Sequence, residues 1–150
     1  MIIETNDIGH IIQLSIAPVF LLTGVGTKLM VLTNRLARII DRSRKLEDRL
    51  DVGHNEAYLD ELDTLYRRSH LINAAITLST TCGLLVCLVI AMLFFGEVTN
   101  FQLSRIDLNK VIAACFVLGM AALIGSFVYL LREIFIASKS LRARRHVRQS

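Results

Sequence analysis

Three long stretches of this chain contain no ionisable side chain: Ile11 to Thr27, Leu71 to Gly96 and Val111 to Leu131. A soluble globule spreads its charge along the chain, so this absence excludes one. A helix needs roughly 20 apolar residues, at ~1.5 Å rise each, to cross ~30 Å of hydrocarbon. The second and third stretches exceed that length, and the first reaches it when His10 and Lys28 sit near the interfaces. Apolar residues make up 53% of the 150 residues, and the mean hydropathy is +0.53. The pattern predicts an all-α polytopic membrane protein, one membrane domain over 1–150. Its three spans are about 8–32, 71–96 and 111–132, with a helical hairpin over 33–70 and a basic tail over 133–150.

Other absences narrow the chemistry. The three cysteines, Cys82, Cys87 and Cys115, all lie in apolar runs and show no CxxC spacing. They read as small buried hydrophobes rather than a disulfide framework. No phosphate-binding loop, HExxH, GxSxG or zinc-finger spacing occurs. His10, His54, His70 and His146 are scattered, with no two at metal-ligand spacing. The sequence therefore points to no enzyme, no cofactor and no metal. The start "MIIETNDIGH" is acidic, whereas a secretory signal begins with a basic region. The first apolar segment is expected to be retained.

The charge that is present is one-sided. Every Lys and Arg except Arg105 and Lys110 falls in the 33–70 connection, in the segment from Arg132 onward, or at Lys28. Basic residues stay cytoplasmic, so the hairpin and C-terminus are expected inside and the N-terminus outside. The 33–70 connection also holds acids, such as Asp41, Glu47, Asp60 and Asp63. Its near balance argues against binding nucleic acid. The basic tail suits an anionic inner leaflet.

The segment "KLMVLTNRLARIIDRSRKLEDRL" (28–50) begins apolar and ends charged without a Gly or Pro. Leu29, Leu32, Leu36, Ile39, Ser43, Leu46 and Leu50 alternate three and four apart, a heptad seam. One helix is thus expected to leave the membrane and continue into water. Arg38–Asp41, Asp41–Lys45 and Arg44–Asp48 stand at pairing distance along it. Gly53 and Asn55 are placed to end this helix and cap the next. Leu59, Leu62, Tyr66, Ser69, Asn73 and Ile76 repeat the spacing on the return. An arm of about 18 residues projects roughly 27 Å, too thin to bury an enzyme core. Pro18 predicts a kink, and Gly24 and Gly26 permit close approach of another helix. Cys115, Gly119, Ala122, Ser126 and Tyr129 form a mostly small stripe in the third span. Asp107 or Asn109 is expected to cap that helix.

Several residues carry two readings. Glu4, Asp7 and His10 make either an acidic outer mouth, repeated around an oligomer, or a solvated helix start. Lys28 is either an intramembrane functional charge or a side chain snorkelling to the interface. Gln13, Thr23, Thr27, Asn73, Thr77 and Thr81 either line a water path or bridge packed helices.

The wording "IAPVFLLTGVGTKLMVLTNRLARIIDRSRKLE", followed by "SHLINAAI" and "LREIFIASKSLR", resembles a bacterial family of small three-span membrane proteins catalogued as a domain of unknown function. His70 stands where that family usually has a basic residue. The resemblance covers nearly the whole chain. It implies a bacterial inner-membrane protein and brings no activity or catalytic residues. Asn34, Arg35, Arg38, Asp41 and Arg42 match the family's most distinctive motif, at the expected membrane edge. Two functions fit: a homo-oligomeric pore or ion pathway, or a non-catalytic adaptor whose hairpin docks a cytosolic partner.

Overall fold

The computed structural model describes residues 5–52, 56–98 and 105–147, with side chains for Gly9, 12–51, 56–95 and 109–139. Three helices account for them: α1 (Thr5–Val52), α2 (Glu56–Val98) and α3 (Arg105–Val147). No strand occurs among the described residues. As the sequence predicts, α1 passes from its apolar part into the charged arm without a break, and α2 runs unbroken from arm into apolar segment. The arm is rich in Leu and Arg, both good helix formers. Glu56 in the first turn of α2 and Arg49 in the last turn of α1 complement the helix dipoles. α3 already begins at Arg105, so Asp107 and Asn109 lie inside it rather than capping it. It also continues to Val147, so the basic segment after 132 is helical. Gly53 and Asn55 lie outside the described residues.

All three helices are long and apolar enough to cross a membrane. Only 22%, 22% and 11% of their most apolar windows are buried. Phe20, Leu84, Val117, Leu118 and Phe135 are among the large apolar side chains turned outward. Apolar surface this continuous suits hydrocarbon, not water.

The chain forms two compact units, and each helix supplies residues to both. The first comprises residues 1–28 and 79–124. Val25, Cys82, Val86 and Val89 are buried in it, as are Pro18 and Lys28. Its small residues sit where helices meet. A Cβ on Gly83 would lie 3.6 Å from Val25, and one on Gly119 would lie 3.6 Å from Leu85 Cβ and 3.8 Å from the Cys82 carbonyl oxygen. Gly24 and Gly26 differ from expectation: both are exposed, and a Cβ there would meet nothing within 4 Å.

The second unit comprises residues 29–78 and 125–150. Its core is Leu32, Ile39 and Leu46 of α1 with Leu65, Ile72 and Ala75 of α2. Leu36, Tyr58, Leu62, Ile76, Tyr129 and Leu130 pack against them. Only residues 53–55 separate α1 from α2, so two helices sharing this core run antiparallel. The α1 seam is the expected one. The α2 seam is not: Tyr58, Leu65 and Ile72 face the core, while Leu59 (41% exposed), Tyr66 (54%) and Asn73 turn outward. Both registers keep the 3–4 spacing and share Leu62, Ser69 and Ile76. The observed one buries two aliphatic side chains and leaves the Asn73 amide outside, which avoids desolvating it. The pairs Arg38–Asp41, Asp41–Lys45 and Arg44–Asp48 do not form. The ion pairs among the described residues run between helices instead.

Candidate functional site

Arg35 on α1, Arg68 on α2 and Glu133 on α3 each lie where an apolar run gives way to a charged segment. In the second unit these three meet. Arg68 donates from Nε and Nη2 to Glu133 Oε1, at 3.0 and 2.8 Å. Arg35 Nη1 approaches Glu133 Oε2 at 3.3 Å, an electrostatic contact without hydrogen-bond geometry. The Glu133 side chain is fully buried, whereas those of Arg35 and Arg68 retain 33% and 21% exposure. One carboxylate therefore joins three helices, and the cluster keeps one net positive charge.

The packed face of α3 delivers Glu133 to this position. Gly119 and Ser126 are buried, with Cys115, Ala122 and Tyr129 partly so. Glu133 falls one more step of four along the same stripe. Close packing there is sealed by Ser126 Oγ, which donates to the Ala75 carbonyl at 2.6 Å. Sequence reasoning missed Glu133 and Arg68. The signal was present: Glu133 is the only acid after Asp107, and it continues the small-residue stripe.

Both edges of the α1–α2 seam are bridged. On the edge that bears Arg35 and Arg68, Arg42 Nε donates to Glu61 Oε1 at 3.0 Å. On the other edge, Tyr66 Oη donates to Glu47 Oε1 at 2.6 Å. That hydrogen bond, together with the Glu47 charge, raises the Tyr66 phenol above its usual range. On this second edge Ile40, Leu59 and Tyr66 are exposed.

Of the motif residues, Arg35 joins the Glu133 cluster and Arg42 pairs with Glu61, while Asn34, Arg38 and Asp41 are exposed. Lys28 is buried, 8% exposed, in a unit that also buries Ser79 and Cys82. Gln13, Thr23, Thr27, Asn73, Thr77, Thr80 and Thr81 all face outward. Glu4 and the side chains of Asp7 and His10 lie outside the described residues. Cys82, Cys87 and Cys115 are free thiols. Among the described residues no group of three His, Cys, Asp or Glu side chains is placed to hold a metal.

The family model described as a protein of unknown function (DUF2721) matches residues 15–143. The chain belongs to this family. No curated protein and no solved structure matches it. The matched residues contain every member of the Arg35–Glu133–Arg68 cluster and the outward polar row of α2.

Proposed function

We propose that the chain is a subunit of a homo-oligomeric ion pathway in the bacterial inner membrane, with its N-terminus outside and its arm and C-terminus in the cytoplasm. One observation carries this reading. Polar side chains in the apolar helices, above all Asn73, Thr77 and Thr81 at four-residue intervals on α2, point out of the three-helix packing. A row of outward hydroxyl and amide oxygens along an apolar helix is poorly matched to hydrocarbon. Facing another copy, they line a shared polar surface. Gly24 and Thr27, both exposed on α1, offer a second outward face of small and polar residues.

The chemistry of the row suits a cation. Thr77 donates to the Asn73 carbonyl at 3.0 Å, and Thr27 to the Thr23 carbonyl at 3.1 Å. A hydroxyl that donates to its own helix presents an oxygen acceptor outward. Rings of oxygen acceptors replace water around cations. Three helices enclose no channel of their own, so several copies are required.

The test is twofold. The detergent-solubilised complex should have the mass of four or more copies, and purified protein should conduct cations across liposomes. Thr77→Leu with Thr81→Leu should abolish flux without dispersing the complex. A monomeric mass, or wild-type flux no greater than that of empty vesicles, sinks the proposal.

The exposed Ile40, Leu59 and Tyr66 on the arm favour a second reading, a non-catalytic adaptor that docks a cytosolic partner there. In that case Leu59→Asp should abolish function while Thr77→Leu and Thr81→Leu leave it intact.

A further inference from the structure

We propose that the Arg35–Glu133–Arg68 cluster is a binding site for the phosphate of an anionic lipid headgroup, with Arg35 as the residue that faces it. The inference requires that the helices span a bilayer. It does not require a pore, so a protein that conducts nothing would still bind the lipid.

The first argument is depth. Arg35 follows the apolar part of α1, Arg68 precedes the apolar run of α2, and Glu133 follows that of α3. Their meeting at one point marks the plane where hydrocarbon gives way to headgroups, and lipid phosphates lie in that plane. The second argument is charge. Two guanidinium groups against one carboxylate leave one positive charge, and a phosphodiester neutralises it. The third is geometry. Arg68 is engaged twice on Glu133 Oε1, whereas Arg35 makes a single 3.3 Å contact. A guanidinium carries five N–H donors in a planar fork suited to phosphate. Among the described residues Arg35 has no other partner, and a third of its side chain is exposed. The buried carboxylate thus holds Arg35 in place while most of its donors stay available. Arg38, one turn along α1 and exposed on the same edge, adds positive charge.

A free phosphate shares this chemistry, so the experiment separates the two sources. Wild-type protein is placed in phosphatidylcholine vesicles with spin-labelled phosphatidylglycerol or spin-labelled phosphatidylcholine, and the motionally restricted fraction is compared. Wild type should prefer phosphatidylglycerol. Arg35→Gln should reduce the preference about five-fold, the effect of one basic residue at an anionic surface. Arg35→Lys should retain part of it, and Arg44→Gln, further out on the arm, should retain all of it. Helix content and melting of each variant show whether folding persists. The proposal is overturned if folded Arg35→Gln keeps the full preference, or if Arg44→Gln loses as much, which indicates a diffuse basic surface. It is also overturned if inorganic phosphate displaces the labelled lipid as well as unlabelled phosphatidylglycerol does, which assigns the site to a soluble anion.

Discussion

Arg68 and Glu133 are 65 residues apart in the chain, yet Nε and Nη2 of the one converge on a single carboxylate oxygen of the other. The carboxylate is wholly buried, so its charge is tolerated only because Arg68 and Arg35 surround it. Glu133→Ala removes that charge and leaves two guanidinium groups facing one another. We expect a loss of ~3 kcal/mol, at the lower end for breaking a buried pair because both arginines are partly exposed. Arg68→Ala should cost more than Arg35→Ala, since Arg68 makes two hydrogen bonds and Arg35 a longer contact. Arg68→Met combined with Glu133→Met should cost less than Glu133→Ala alone. Thermal unfolding of the detergent-purified variants ranks them, and equal stability of Glu133→Ala and wild type would contradict the geometry.

Ser126 Oγ crosses from α3 to the Ala75 carbonyl of α2 at 2.6 Å. Hydrogen bonds between membrane helices contribute on average ~0.6 kcal/mol. Ser126→Ala keeps the small volume and should lose about that much. Ser126→Leu forces a large side chain into fully buried space and should cost several times more, on the order of 2–3 kcal/mol. The ratio of the two losses, read from the same unfolding assay, separates close packing from the hydrogen bond itself.

How much of this was legible in the sequence depends on whether the deciding force is local. Uncharged length shows where α1, α2 and α3 are apolar, because the hydrophobic requirement is met residue by residue. The α1 seam is legible for the same reason, since Leu32, Ile39 and Leu46 repeat without a competitor. The α2 seam is ambiguous because Leu59–Tyr66–Asn73 and Tyr58–Leu65–Ile72 satisfy one spacing, and only packing against α1 selects between them. Lys28 cannot be placed from position alone, because snorkelling and inward burial are both open to a lysine one turn from an interface. The Glu133 cluster depends on three distant segments meeting, which no spacing within one helix reveals. Charges on the arm illustrate the same limit. Arg42 has no acid three or four residues away on its own helix, and its partner Glu61 lies across the seam.

Tyr66 and Glu47 supply a pH-dependent tether on the outer edge of the arm. The hydrogen bond and the Glu47 charge hold the phenol protonated above its ordinary range. The tether is therefore complete below about pH 10, where the unfolded tyrosine begins to ionise. It is lost as pH rises through the raised value of the folded state. Absorbance titration should show a tyrosine component ionising above the ordinary tyrosine range. In Glu47→Gln that component should move down, and in Tyr66→Phe it should vanish. If Glu47→Gln leaves the profile unchanged, the two side chains are not joined in solution.

The register of the α2 seam gives a test with opposite outcomes for its two versions. Leu65 is 6% exposed and packs in the core, whereas Leu59 is 41% exposed on the outer edge. Truncating a buried leucine costs ~2–5 kcal/mol through lost transfer energy and the cavity left behind. An exposed one costs ~0.5 kcal/mol or less. Leu65→Ala should therefore lower the stability of the arm by about 3 kcal/mol, with Leu59→Ala close to wild type. Had the seam run through Leu59, Tyr66 and Asn73, the order would be reversed. Asn73→Leu extends the comparison. In the observed register it replaces an exposed amide and should not lower stability in detergent, whereas in the alternative register it would fill the seam and raise it. Unfolding midpoints for the three variants decide between the registers without any knowledge of function.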